Sequence, residues 1–513
     1  MRFFQTRLNR SELVCNIFTC LMLGVFPVFL VPGLFFTLNI AKYCFVLIST
    51  LLLFLFSLLF SKKSTIKVKR TLFADLSIVD WAILLLCIVS LVSGFVSPFF
   101  PDTVNGAYGR FNGMLTMLCY TVLYFIITRY GKWNVVFFYL LAVSSALVFL
   151  LGILNFFQID PLGAYSSIRT DEKALFLSTI GNRNFFSAYI CITLPVFIVL
   201  FCLSNVRWKT FFWGAMMILG EAALFIGNSE SGLIGLYLVF LVLPLFLFHD
   251  KSCFRNYFFV IFSFFAVAQV LRILISVLPN ALYSLSGISA FFVFHIFSKM
   301  MTGVFAILCL SFWFPPFSGR RVRCCVKKIW VGFLLFLICV FLVFFFYFSF
   351  INRQTPLGEL EAYLRFSPSW GSNRGSAWIA LVAVFASFSP LHILIGSGPD
   401  TIYQVLSQAY YLQMENGTLL SFDSAHNEYL QYLITTGVIG LLAYCVFVAV
   451  LLSWALSQGK RSHTMLSLAM AVLCYSVQGF FNISMISVTP VFVLLLAFVG
   501  ADYRDARLRS KLD

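Results

Sequence analysis

Runs of about twenty consecutive apolar residues recur along the whole chain, and they leave it few folds. A bilayer core about 30 Å thick takes about 20 helical residues to cross, and lipid offers the backbone no hydrogen-bond partner, so each run must be helical. Such runs lie near 14–36, 43–61, 78–98, 114–128, 133–157, 185–203, 210–227, 232–248, 257–277, 286–314, 330–350, 430–456, 464–480 and 485–501. With short and abutting runs counted either way, this predicts an all-α polytopic membrane protein of 12–14 transmembrane helices. The composition agrees: 61% of residues are hydrophobic and 11% charged, against about 45–50% and about 25% in an average soluble domain. The 64 phenylalanines suit helices facing lipid and carry no chemistry.

Charge gives the expected orientation. The formal net charge is +16, and in a membrane protein such an excess reports topology, which removes nucleic acid from the expected partners. Basic residues collect in alternate connections: Arg2, Arg7 and Arg10; Lys62, Lys63, Lys67, Lys69 and Arg70; Arg207 and Lys209; Arg320, Arg321, Arg323, Lys327 and Lys328; Arg504, Arg507, Arg509 and Lys511. Each group follows an even number of crossings, so the positive-inside rule puts both termini in the cytoplasm. The first apolar run exceeds a signal-peptide core and no small-residue cleavage site follows it, so it is expected to stay as an anchor.

The 14 cysteines lie in spans or basic connections, and none is spaced as a metal site or a disulfide framework. No cofactor and no metal is expected. The expected organisation is 1–350, eleven helices with short loops; 351–429, a periplasmic loop forming a cap; and 430–513, three helices and a basic tail. A loop as long as 351–429 tends to be functional or disordered. This one holds the apolar stretch "WIALVAVFASFSPLHILIGSG", 378–398, expected to lie as a helix on the outer surface.

At the junction of cap and membrane stand His426, Asn427 and Glu428. If the following helix extended back, His426 would share a face with Leu430, Leu433 and Gly437, while Gly437 and Gly440 would admit a close neighbouring helix. A histidine with an ordinary pKa near 6.5 exchanges protons at ambient pH. On spacing alone, an interfacial helix cap is the better reading of a lone histidine. Inside the spans, Glu221 or Glu230 is expected to pair with Arg272 or Lys299, since ionisable groups in lipid normally face a partner.

His426-Asn427, nine residues, then Gly437 and Gly440 resembles a pattern of the O-antigen ligase and O-antigen polymerase family. Three further segments resemble that family in the same order along the chain: "GNRNFFSAYICITLP" at 181–195, "GSNRGSAW" at 371–378 and "SPLHILIGSGP" at 389–399. The resemblance implies a GT-C-like, metal-independent glycosyltransferase of the bacterial inner membrane. Such an enzyme transfers a glycan from undecaprenyl diphosphate to an acceptor hydroxyl on the periplasmic side. Its partners would be that lipid-linked donor, a lipid or glycan acceptor and membrane lipids.

Two tasks follow: activating the hydroxyl and holding the departing diphosphate. The resemblance assigns the first to His426, with Asn427 or Glu428 orienting it, and the second to Arg374, because a guanidinium holds two phosphate oxygens at once. Where the family commonly carries a second arginine, "GNSESGLIG" at 227–235 offers Glu230. Arg183, Arg272 and Arg110 are the candidate replacements. Asn182 and Asn184 bracket Arg183 at a helix entry, where free amides bind phosphate. O-antigen ligase with a lipid A core acceptor is the favoured expectation. A polymerase or protein O-oligosaccharyltransferase is the alternative within the class, and a lipid-linked oligosaccharide flippase the alternative outside it.

Overall fold

The computed structural model describes residues 10–31, 38–61, 75–169, 172–278, 280–410 and 422–511; Arg2, Arg7, Lys62, Lys63, Lys67, Lys69 and Arg70 lie outside them. The protein is an all-α polytopic membrane protein. Among the described residues eleven helices are long and apolar enough to cross a bilayer, or twelve if one bent pair is a single span. We label the main helices α1 (Arg10–Cys20), α2 (Leu38–Ser61), α3 (Ile78–Val96), α4 (Met114–Tyr130), α5 (Val135–Phe156), α6 (Arg183–Leu203), α7 (Arg207–Gly227), α8 (Glu230–Val242) and α9 (Lys251–Val277). They continue as α10 (Gly287–Phe294), α11 (Ile296–Ser311), α12 (Arg320–Phe346), α13 (Trp370–Ala386), α14 (Pro390–Ile395), α15 (Ile402–Tyr410), α16 (Glu428–Gln458), α17 (His463–Gln478) and α18 (Thr489–Arg509).

Two expected spans change shape. The first ends at Val28, with π and 3-10 turns from Leu21 onward ahead of and around Pro27. The run 286–314 is two helices bent by 61°. No glycine or proline makes that break; His295 adopts an extended conformation and its Nδ1 accepts the Phe297 N–H at 3.2 Å, capping α11. Helix α4 is short, and α18 carries Asp502, Arg504 and Asp505 within its 21 residues.

Helix α6 is the axis of the bundle, with 89% of its apolar window buried. It packs on α7 and α17, through phenylalanines such as Phe186 and Phe197 that have no solvent contact. Helix α12 is its opposite, with 6% buried, so it faces lipid along nearly its whole length. It leads into the cap, and α16 leads out. The expected single surface helix at 378–398 is two, α13 and α14, separated at Ser387–Ser389, where the Ser389 hydroxyl caps α14. Leu381 and Val384 of α13, Ile402, Val405 and Leu406 of α15, Ala425 and Ile434 form a hydrophobic cluster of their own. The cap therefore has a core separate from that of the bundle.

Candidate functional site

The site is built where the cap turn meets α16. Gly437 has φ +66° and ψ −172°, a conformation that interrupts the helix and that only glycine adopts without strain. Helical amides no longer reach the carbonyls of Ile434 and Thr435. The amides of Ser397 and Gly398 take their place, each at 3.0 Å. A buried main-chain acceptor needs a partner, and here the glycine turn of one segment supplies it to the glycine break of the other. The two glycine-bearing segments of the sequence are thus halves of one joint. Gly437 receives the backbone of Leu394 and Ile395 at the end of α14, the close helix approach expected of it, whereas a Cβ on Gly440 would meet Thr436 of its own helix.

His426 sits outside α16. It has φ +45°, and the helix begins at Glu428 with Asn427 as its cap, Oδ1 accepting the Leu430 N–H at 3.0 Å. The face shared with Leu430 and Leu433, expected from a continuous helix, does not exist. The residue before the histidine is fixed at both its backbone groups instead: Trp378 Nε1 donates to the Ala425 carbonyl at 2.9 Å, and the Ala425 amide donates to Gln431 Oε1 at 3.0 Å. The imidazole makes no hydrogen bond among the described residues. Burial pushes its pKa below the ordinary value, the Arg374 and Arg110 charges push it the same way, and Asp423 opposes them. The balance favours the neutral ring, the form a proton acceptor needs.

Arg374 follows three residues in left-handed conformation, Gly371, Ser372 and Asn373. This reversal brings its Nη1 to the Gly371 carbonyl at 2.8 Å and leaves Nε buried with no hydrogen-bond partner among the described residues. Burial lowers its pKa, and the field of Glu230 raises it. Glu230 Oε1 accepts the Tyr363 hydroxyl at 2.6 Å and the Ile288 amide at 3.4 Å, so it ties the start of α8 to the cap. The expected pairs are absent among the described residues: Glu221 Oε1 accepts from Ser263, and neither carboxylate forms an ion pair with Arg272 or Lys299.

The other arginines divide. Arg110 is buried and engaged by two carboxylates, Nε to Asp400 Oδ1 at 2.9 Å and Nη1 to Asp423 Oδ2 at 2.5 Å, and its charge reaches His426. Asp400 also accepts the Ala107 amide at 2.7 Å. Burial raises the Asp400 pKa against these partners. The Arg183 guanidinium lies 4.2 Å from the Tyr283 ring centroid. Arg272 makes no hydrogen bond or ion pair among the described residues. Asn182 caps α6 by accepting the Asn184 amide at 2.8 Å, and the Asn184 carbonyl accepts from Asn482 at 3.3 Å.

Glu428 is turned into the bundle, its Oε1 accepting from Tyr444 Oη at 2.8 Å and Ser484 Oγ at 2.5 Å. The carboxylate whose field reaches the imidazole is Asp423, which sequence reasoning missed along with Asp400 and Tyr363. Asp400 follows Pro399 directly in the glycine turn, the one signal that could have drawn notice to it.

A family model described as O-antigen ligase matches residues 284–445. The match takes in Arg374, His426, Gly437 and Gly440 and leaves Arg110, Arg183 and Glu230 outside. A search among curated proteins gives no match.

Proposed function

From a chain that carries the O-antigen ligase family's domain, whose ligase or polymerase class of function it shares, we propose a periplasmic-side transfer. The donor is a glycan on undecaprenyl diphosphate and the acceptor a hydroxyl of the lipid A core. In this reading both termini lie in the cytoplasm of a bacterial inner-membrane protein, and the bias of basic residues toward alternate connections supports it. One observation carries the reading: the Arg374 charge reaches His426 where the cap turn meets α16, and among the described residues the imidazole makes no hydrogen bond and the buried Arg374 Nε has no partner.

In the proposed reaction the acceptor oxygen attacks the anomeric carbon of the donor. The bond from that carbon to the phosphate oxygen breaks, and its electron pair leaves with undecaprenyl diphosphate. His426 takes the hydroxyl proton, and Arg374 faces the charge gathering on the leaving oxygens. A preorganised donor aimed at developing charge in a water-poor site contributes strongly to catalysis. Arg110 is taken up by Asp400 and Asp423, so its role is to position Asp423 and set the field at His426. Glu230, held to the cap by the Tyr363 hydroxyl, sets a negative field on Arg374. Gly437 and Gly440 keep the start of α16 in place.

The test uses membranes supplied with undecaprenyl-diphosphate glycan and lipid A core. His426→Ala and Arg374→Ala should each abolish transfer with the protein still inserted and abundant. Wild-type rates in either variant overturn the assignment. In cells lacking the gene, unligated long chains mark a ligase, and single-repeat products mark a polymerase.

A further inference from the structure

At the end of the bundle opposite His426, a cavity of about 580 Å³ opens between α12, α16 and the short helix Pro244–Leu247. Helix α16 spans 31 residues, so the cavity and the cap site are separated by on the order of 40 Å. Its walls carry Lys327 from α12, Lys460 just past α16, and Ser453 and Ser457 from the last turns of α16. Leu245 and Phe246 line it from the third side. No lining residue is acidic. The carboxylates on adjoining segments are engaged elsewhere, Asp250 by Ser252 and the Cys253 amide, and Asp502 by Trp454 Nε1 at 2.9 Å.

We propose that this cavity binds an anionic phospholipid, with its phosphate between Lys327 and Lys460 and its acyl chains along Leu245, Phe246 and the lipid-facing side of α12. Two ammonium groups lining one cavity without a carboxylate repel each other unless an anion lies between them, and serine hydroxyls add donors for its oxygens. Basic pockets between helices at a membrane face take up anionic head groups for this reason. A free phosphate would satisfy the lysines and leave the apolar wall unused. A lipid uses both.

The position gives the lipid a task. Helix α12 enters the cap and α16 leaves it, yet α12 is barely buried in the bundle. Among its attachments are Tyr237 Oη to the Leu334 carbonyl at 2.7 Å, Trp330 Nε1 to Tyr257 Oη at 2.8 Å, and Arg323 to the Phe248 and His249 carbonyls. A phosphate shared by Lys327 and Lys460 joins the two supports of the cap at their far ends.

The experiment places the purified full chain in nanodiscs of phosphatidylcholine with or without phosphatidylglycerol and measures bound lipid by native mass spectrometry. Phosphatidylglycerol should be retained selectively. Lys327→Met with Lys460→Met keeps the apolar stems and should lower its apparent affinity about thirtyfold, while Lys209→Met, outside the cavity, should leave it unchanged. Lys327→Glu with Lys460→Glu should abolish selectivity, and thermal unfolding confirms that each variant is folded. Equal retention of the two lipids, or equal loss in Lys209→Met, overturns the site. Displacement of the lipid by millimolar inorganic phosphate overturns the lipid assignment in favour of a free anion.

Discussion

Gly396 and Gly437 meet across the join of cap and membrane helix, both at positive φ. A Cβ built on Gly396 would lie 2.3 Å from the Thr435 backbone, and one built on Gly437 would lie 2.3 Å from that of Leu394. Neither neighbour is a side-chain end that could swing away. Gly437→Ala should therefore unseat the turn, adding roughly 1–3 kcal/mol of backbone strain to the overlap. The expected outcome is a lower midpoint of thermal unfolding in detergent and loss of transfer. Gly440→Ala meets only the Thr436 side chain and should be milder on both measures.

The field around His426 predicts a pH dependence with a definite sign. Transfer needs the neutral imidazole, and burial with two nearby arginines holds its pKa below 6.5. The rate should rise with pH through a value below 6.5 and then stay level across neutrality. Asp423 raises that pKa, so Asp423→Asn should move the acidic limb to still lower pH. A limb that moves upward, or stays fixed, would show that Asp423 does not act on the ring.

Arg110 and Asp400 make a pair with side chains 7% and 0% exposed. Removing one partner from a buried pair costs about 3–5 kcal/mol, because the other charge is left without compensation. Arg110 keeps Asp423 as a partner in Asp400→Ala, so that variant should destabilise by less than that order, whereas Arg110→Met strands the buried Asp400 and should reach it. Arg110→Met combined with Asp400→Ala should recover part of the loss. A double-mutant cycle read by thermal unfolding gives the coupling, and strictly additive losses would argue against it.

Glu230 holds the place where the resemblance led to the expectation of a second arginine, and its charge opposes that of Arg374. Glu230→Gln retains an oxygen to accept from Tyr363 while removing the negative charge. If Arg374 binds the donor diphosphate, the KM for donor should fall severalfold with kcat little changed. An unchanged donor KM would place the diphosphate elsewhere, with Arg183 and Arg272 next to be substituted.

Most of the helices were legible in the sequence because lipid imposes one rule, an apolar run of sufficient length, and that rule is local. The elements that set the site are not local. Arg110 and Asp400 are separated by 290 positions, and no periodicity links them. Glu428 was expected beside the histidine and Asp423 was missed for a different reason: the left-handed His426 and the extended Asn427 defeat any extrapolation of the helix backward from Glu428. The bend at His295 was hidden because a side-chain cap inside an apolar run leaves no glycine or proline to mark it. The glycine patterns were visible, but not that each completes the other's hydrogen bonds.

The lipid-facing helix α12 has a meaning for how this chain changes over time. Phe333, Phe336, Phe341, Phe346 and Phe350 are all exposed on or just beyond it, and a fluid hydrocarbon does not discriminate among oily shapes. Shuffling those rings for leucine or valine should leave little trace. The abundance of phenylalanine there fits neutral wandering within a single permissive constraint, while the few small or charged positions at the joint should tolerate far less change.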